Sequence, residues 1–474
     1  MVMGELTLET EVLVIGGGPG GYAAAFRAAD LGLDVTMVNM EARPGGVCLF
    51  RGCIPSKTLL YLSEMLYDAR RASAMGISFR EPEIDIEKIR AWKQTVIDKL
   101  ADGLVRLNNK RGVQLIQGQA VFENSRTVRL HDADVSSIKF KQAIIATGSH
   151  PTPLPDVPFQ SGSHIMSSAG ALDLQDIPST LLILGGGYVA LELGSVYAAL
   201  GSRVTLAVRG DRLLRGADAD LAAPLIDRVT EIFDAVWYHT TVSSLKETDQ
   251  GVSVEFKDAP EKPHDHFDRV LVAIGRLPNT KDIGLENTAV ETDRHGFIKV
   301  DDRQRTSETH IFAVGDVIGG MMLAHKATRE GKIAAEVIAG QPSAFDIQAI
   351  PAVVYTDPQI AWCGLTEEEA RRQNRRIRVE RFPWKFSGRA TTMDVPEGIT
   401  KMIIEPDTGR ILGVGIVGRH TEGLISEGVL AIEMGALAED LALSIHPHPT
   451  LSETVSETTE IFLGSATHIL PRKS

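Results

Sequence analysis

Cysteine is scarce in this chain: three residues among 474. A secreted scaffold stapled by disulfides needs several pairs at short spacings, so that class is excluded. Long apolar runs are missing too. None reaches the roughly 18 residues of a membrane-spanning helix, and residues 1–10 show no basic stretch leading into an apolar one. Neither a membrane span nor a secretory signal is expected. Basic residues are outnumbered, 49 Lys and Arg against 62 Asp and Glu, for a formal charge of −13. That sign argues against a general nucleic-acid binder, which needs a basic footprint, but leaves room for a local basic pocket. An enzyme-sized cytoplasmic or matrix-like protein remains. At roughly 150 residues per domain, the length suits about three domains.

Glycine, by contrast, is plentiful and placed. The apolar run Glu11–Ile15 leads directly into Gly16-Gly-Gly18-Pro-Gly-Gly21. A helical pattern follows from Tyr22 to Leu31, stops at Gly32, and gives way to the β-rich run Asp34–Asn39. This is a βαβ unit carrying a dinucleotide fingerprint in its proper context. Gly16 suits the tight turn, Gly18 a close approach to pyrophosphate, and Gly21 helix–strand packing. The helix N-terminus supplies unpaired N–H groups for the anion. The unit then repeats: Leu181–Leu184, Gly185-Gly-Gly187-Tyr188-Val-Ala190, a helix to Leu200, and Arg203–Val208. Gly16 to Asn39 and Gly185 to Val208 are the same 23 positions apart. Two nucleotide sites are the leading expectation, on an α/β fold with two Rossmann-like units. Three further strands close on small residues: Phe140–Ser149 through Thr147-Gly148, Val270–Arg276 through Gly275, and Thr309–Asp316 through Gly315-Asp316. A Pro-rich stretch, 151–158, reads as a linker. From about Ala349 alternating apolar strands and two long helices predict a third, α+β domain.

Two of the three cysteines stand together in Gly45-Gly-Val-Cys48-Leu-Phe-Arg-Gly-Cys53-Ile-Pro-Ser-Lys57. Fully extended, their separation would be about 17 Å, whereas a disulfide needs Cα atoms within about 7 Å. The segment is therefore expected to be turned or helical, with Pro55 in the first turn of a helix running to Arg70. Thiols at a helix N-terminus ionise more readily. A zinc half-site and two buried thiols are the alternatives. No second Cys or His pair lies at ligand spacing, which favours a redox pair over a metal site.

This segment resembles the active-site stretch of the class I pyridine nucleotide–disulfide oxidoreductases, and most closely the lipoamide dehydrogenase branch. The likeness spans essentially the whole chain, including Leu323-Ala-His-Lys-Ala327 and the C-terminal Ser444-Ile-His446-Pro-His448-Pro-Thr-Leu-Ser-Glu453. It implies an FAD domain (1–150 and 277–348) interrupted by an NAD(P) domain (151–276), with a dimerisation domain over 349–474. It implies FAD held with Thr147, Gly148 and Asp316, and a nicotinamide nucleotide held with Gly185, Gly187, Ala190 and Gly275. By the same resemblance Cys48 is the interchange thiol and Cys53 the thiolate against the flavin. Lys57 and Glu192 would pair beside the isoalloxazine ring. His448, oriented by Glu453, would enter the site from the second subunit of a homodimer; a rigid turn is the bland alternative for this His-Pro-His-Pro run. The implied substrate is dihydrolipoamide or a lipoyl-bearing protein, within a 2-oxoacid dehydrogenase complex or a glycine-cleavage system. A structural subunit with a dead site is disfavoured by the intact Cys pair, Lys57 and His448.

The chain also departs from the branch it resembles. An NAD-binding unit usually ends its second strand in Asp or Glu, which bonds the ribose 2′-hydroxyl. Here Val208 stands there, followed by Arg209, Arg212 and Arg215. Arg209 and Arg215 resemble the NADP site of glutathione reductases, as does Tyr188, which in those enzymes covers the flavin. A carboxylate about 4 Å from a 2′-phosphate would cost roughly 4 kcal/mol per unit charge at an effective dielectric near 20. Replacing it with arginines reverses the preference, so NADP(H) is expected over NAD(H). A solvated Arg-rich loop and core packing of the Tyr188 ring are the alternatives. An NADPH-dependent reductase of another small disulfide, such as glutathione, is the rival function. At the first unit Asn39 replaces the Glu expected to meet the FAD ribose; its amide oxygen can still accept, and Glu41 stands near. His264 and His266 have the spacing of a metal-binding pair but read as part of a charged loop between strands. Cys363 reads as a packed small hydrophobe rather than a reactive thiol, and Glu367–Glu369 as a solvated helix face.

Overall fold

The computed structural model describes residues 6–257 and 264–470. Strand β1 (Thr7–Ile15) carries the buried run Val12–Ile15. Alternation sends successive side chains to opposite faces. Val12 and Val14 join a core with Ala24 and Ala28 of helix α1 (Pro19–Asp30). Leu13 and Ile15 join another with Phe122 and Val128. A strand buried on both faces is what a parallel sheet between two layers requires. Strand β2 (Val35–Asn39) pairs with β1 in parallel. The chain then forms two consecutive helices, α2 (Gly46–Arg51) and α3 (Cys53–Arg71). Strand β3 (Ser137–Ile145) flanks β1 on the other side, also parallel. Its C-terminal half takes Ile311–Ala313 as a further parallel neighbour.

The second unit repeats the first: β4 (Thr180–Leu184), α4 (Tyr188–Leu200) and β5 (Arg203–Ala207). They belong to a five-stranded sheet whose pairings are all parallel. Gly16 and Gly185 make the same turn, with φ of 107° and 126°. A Cβ at either would lie 2.3 Å from a carbonyl oxygen of the adjacent strand end, Ala146 or Ala273. Only glycine fits such a turn. The supposed linker begins as structure: Ser149–Pro151 pairs antiparallel with Arg276–Pro278, so the chain enters and leaves the second unit through one two-stranded ribbon. Residues His264–Phe267 are a strand rather than a loop, paired with Gly251–Phe256.

The C-terminal part is a five-stranded antiparallel sheet. Its central strand, Ile411–Gly418, is wholly buried. Three later helices matter below: α5 (Ala324–Ile338), α6 (Thr421–Glu433) and α7 (Glu453–Leu463). Cys363 is 2% exposed in this core, and burial pushes its thiol up to about 12, so it packs as expected. The acidic run is not a solvated face. Glu367 contacts both Lys401 and Arg381, Glu368 binds Arg212, and Glu369 closes a capping box with Thr366.

Lys401 is 1% exposed and bonds Asp218 at 2.8 Å and Asp220 at 2.9 Å, joining the second unit to the C-terminal sheet. Asp218, Asp220 and Glu367 converge at the spacing of a metal-ligand set, but the Lys401 ammonium group contacts all three. Lys401→Met would leave Asp220 and Glu367 with Arg381, and Asp218 with only the Glu367 and Glu368 N–H groups. Its expected cost is about 3–5 kcal/mol, read as a lower urea midpoint; an unchanged midpoint would show that the cluster contributes no net stability. Among the described residues no helix is long and apolar enough to cross a membrane.

Candidate active site

The two cysteines meet because two helices abut. Cys48 lies in the first turn of α2, and Cys53 is the first residue of α3. The segment is helical on both sides of Gly52, as the disulfide distance demanded. Both side chains are thiols here, hydrogen-bonded to each other. Their ionisation is split. The hydrogen bond from Cys48 brings the Cys53 thiol down to about 7, against its burial and with help from the Lys57 charge. Cys48, as donor and buried, is pushed far up. One thiol is thus set to ionise near neutrality while its neighbour keeps its proton.

Lys57, one turn further along α3, bonds Glu192 of α4 at 2.8 Å. Glu192 is 3% exposed, and its second oxygen accepts from the Tyr355 N–H at 2.9 Å. A buried carboxylate is retained here because both of its oxygens are satisfied.

A cavity of about 720 Å³ runs from the first glycine turn to this pair. Gly16, Gly18, Asn39, Cys48, Cys53, Lys57, Thr147, Gly148, Tyr188, Glu192 and Asp316 all line it. Gly21 does not; it packs against the Gly16 carbonyl, the helix–strand contact expected of it. The fit to a dinucleotide is chemical as well as spatial. The Gly18 N-cap of α1 brings no side-chain hydrogen bond, leaving its first-turn N–H groups for an anion. A Cβ at Gly18 would meet nothing nearer than 4.0 Å, so the space beside it is open.

Asn39 is largely committed elsewhere. Its Oδ1 accepts from Gly17 N–H at 3.0 Å, and its Nδ2 donates to the carbonyls of Glu41 and Arg43. One lone pair is left for a ribose hydroxyl. Glu41 lines the same cavity and is ion-paired with Arg51.

Sequence reasoning missed the groups that fix Asp316. Ser149 donates to its carboxylate, and Arg276 donates to both Ser149 Oγ and Ser149 O at 2.7 Å. Behind it, Glu330 of α5 accepts from Gly315 N–H at 2.8 Å and pairs with Lys326. Ser149 and Arg276 each follow a strand-closing glycine, which was the available signal; nothing local marked Glu330.

Gly185, Gly187, Ala190, Gly275, Arg209 and Arg215 do not line this cavity. The Gly187 N-cap of α4 is likewise free of side-chain bonds, and a Cβ there would meet nothing within 4 Å. Val208 is 5% exposed and packs against Gly186, so it offers a ribose nothing polar. Arg209 is exposed. Arg215 folds over Gly210, held by Asp211 at 3.2 Å. Arg212 turns away, bonding Glu368 at 2.7 Å and the Arg215 carbonyl at 3.2 Å. The basic cluster is therefore two arginines and a strut. Tyr188 is 40% exposed on the cavity wall, not packed in a core.

His448 does not reach the cysteines of its own chain: it is absent from the cavity lining, and its side chain is 73% exposed. Its Nδ1 meets Glu453 Oε1 at 2.9 Å. Burial pushes the Glu453 carboxyl up, but the Thr450 N–H and His448 outweigh it and hold the group below the usual range. His446 is pinned instead, with Glu427 at 2.7 Å and the Ser444 carbonyl at 2.9 Å on its two nitrogens. It ties the strap bearing His448 to α6.

Two family models account for most of the chain. Residues 10–331 match "pyridine nucleotide-disulphide oxidoreductase", and 350–459 match the dimerisation domain of the same family. The chain belongs to the pyridine nucleotide-disulphide oxidoreductases. It is 44% identical to a dihydrolipoyl dehydrogenase of Haemophilus influenzae, over 98% of this chain and 97% of that protein. It is also 44% identical to dihydrolipoyl dehydrogenase 2 of Haloarcula marismortui, over 99% and 100%. Among solved structures, LpdA of Mycobacterium tuberculosis superposes with a TM-score of 0.88 at 26% identity, covering 95% of this chain and 99% of that one. The HOCl-induced flavoprotein disulfide reductase RclA of Escherichia coli gives 0.84 at 26%, covering 95% and 99%. As a pyridine nucleotide-disulphide oxidoreductase, the chain is an enzyme acting on sulfur with FAD and a nicotinamide nucleotide.

Proposed function

We propose that this chain is a dihydrolipoyl dehydrogenase that prefers NADP(H). The observation that carries the reading is the single cavity joining the first dinucleotide fingerprint to the Cys48–Cys53 pair and the Lys57–Glu192 ion pair. In the oxidised enzyme the two cysteines form a disulfide. A thiolate of dihydrolipoamide attacks Cys48, a mixed disulfide forms, and Cys53 leaves as the thiolate its environment favours. The second substrate thiol then displaces Cys48 and closes lipoamide. The partner subunit's His448 accepts the substrate proton, with the partner's Glu453 orienting the ring. FAD, when bound, relays the electron pair from the dithiol to the nicotinamide. In sum dihydrolipoamide loses two electrons and two protons; the nucleotide gains a hydride and one proton is released.

Thr147, Asp316 and the α1 N-terminus would hold FAD, and the α4 N-terminus the nicotinamide nucleotide. The exposed Arg209 and Arg215 beside an apolar strand end support a 2′-phosphate there. The family's dimerisation domain supports a homodimer, and the exposed strap supports His448 acting across it. Scarce cysteine, two of three in a pair built for turnover, supports a reducing, cytoplasmic setting. A lipoyl-bearing carrier of a 2-oxoacid dehydrogenase complex or glycine-cleavage system is the matching partner.

The test assays the purified protein with dihydrolipoamide and with oxidised glutathione, each with both nucleotides. Turnover of dihydrolipoamide, with a higher kcat/KM for NADP than NAD, is expected; activity with glutathione alone selects the rival reductase. Arg209→Ala and Arg215→Ala should each lower kcat/KM for the phosphorylated nucleotide roughly 10- to 100-fold, with little change for NAD. Equal losses with both nucleotides would contradict a 2′-phosphate contact.

A further inference from the structure

Behind the Lys57–Glu192 pair lies a second cavity, of about 230 Å³. Lys57 is the only described residue that lines both it and the large one. Charged side chains form part of the second cavity's wall: Glu64, Asp357, Arg419 and Glu422 line it beside Leu60, Tyr61 and Tyr67. Asp357 Oδ2, Arg419 Nε and Glu422 Oε2 are buried without hydrogen-bond partners. Buried polar atoms of this kind are ordinarily satisfied by water, and the space holds several molecules. The lysine therefore stands between a redox site and a wet chamber.

Tyr355 occupies that boundary. Its ring lies 4.5 Å from Lys57 Nζ, in cation–π range, and its backbone N–H binds Glu192. One residue from the C-terminal part of the chain thus touches both members of the ion pair. We propose that Tyr355 is a positioning residue: its ring seats the Lys57 ammonium and shields it from the chamber, directing the charge toward Cys53. Water at the ammonium would screen that charge, because coupling between charges falls as the local dielectric rises. The inference rests on the proposed reading of Cys53 as the thiolate beside the flavin.

The test follows the long-wavelength thiolate-to-flavin band of the two-electron-reduced holoenzyme during acid titration. Tyr355→Phe keeps the ring face and is expected to titrate like the parent. Tyr355→Leu removes the face, and pentafluorophenylalanine at 355 keeps the shape but reverses the face's polarity. Both are expected to move the midpoint upward by roughly 0.5–1.5 pH units, a 3- to 30-fold change in equilibrium. FAD content shows whether each variant has folded, and the fluorinated ring preserves the packing should the leucine variant not fold. Midpoints for leucine and the fluorinated ring equal to that of phenylalanine would overturn the inference. So would a shift in Tyr355→Phe as large as in Tyr355→Leu. A parent enzyme without the band, or a band surviving Cys53→Ser, would overturn the reading of Cys53 and this inference with it.

Discussion

Cys53→Ser is expected to lower turnover by roughly 10⁴-fold or more, with the long-wavelength band of the reduced enzyme lost. Cys48→Ser should stop turnover to the same degree, for a different reason. It removes the sulfur that exchanges with substrate and leaves Cys53 unable to form a disulfide. The band should then be present without any reductant. Cys53 sits at about 7, chiefly because Cys48 donates a hydrogen bond to it. A serine hydroxyl still donates, so in Cys48→Ser the band should fade as pH falls through about 7. The sign follows from the charged form: the thiolate persists above that pH and is protonated below it. Cys48→Ala offers no donor, and its band should fade at a higher pH. Identical midpoints for serine and alanine would show that the hydrogen bond does not set the ionisation of Cys53.

His448→Gln is expected to reduce turnover about 10²- to 10⁴-fold, the usual range for a lost acid–base group. Glu453→Gln should cost less, since the Thr450 N–H can still fix the carboxamide in place. The sharper measurement asks which subunit supplies the histidine. Cys53→Ser and His448→Gln protein, each inactive alone, are dissociated, mixed and reassociated. If the histidine crosses the interface, each hybrid dimer has one intact site, and a random mixture regains about a quarter of full activity. If it serves its own chain, no hybrid site is intact and nothing returns.

Much of this site is legible in the sequence because its parts are local. A fingerprint glycine reports on its own φ and on the carbonyl it must pass, as Gly16 and Gly185 do. A disulfide between Cys48 and Cys53 requires a turned segment, because the extended span is too long for one. Contacts made across the chain are legible only through resemblance, or not at all. The pairing of Lys57 with Glu192 spans 135 positions, and no pattern in either helix announces it. Ser149, Arg276 and Glu330 act by fixing other groups, so their chemistry appears only once Asp316 and Gly315 are placed beside them. Charge runs misled for the same reason. Glu367–Glu369 resembles a solvated face in sequence, yet Lys401, some thirty positions later, lies buried against its first residue. Asn39 shows the converse limit: its identity was plain, but its bonds to Gly17, Glu41 and Arg43 could be read only from the folded loop.

The central claim is that electrons pass between a small dithiol and the flavin by way of Cys48 and Cys53. Its most direct test is anaerobic reduction of the FAD-loaded protein by dihydrolipoamide with no nucleotide present. The expected result is rapid two-electron reduction with the long-wavelength band appearing, and no such change in Cys48→Ser. A protein reduced promptly by NADPH but left fully oxidised by dihydrolipoamide would contradict the account.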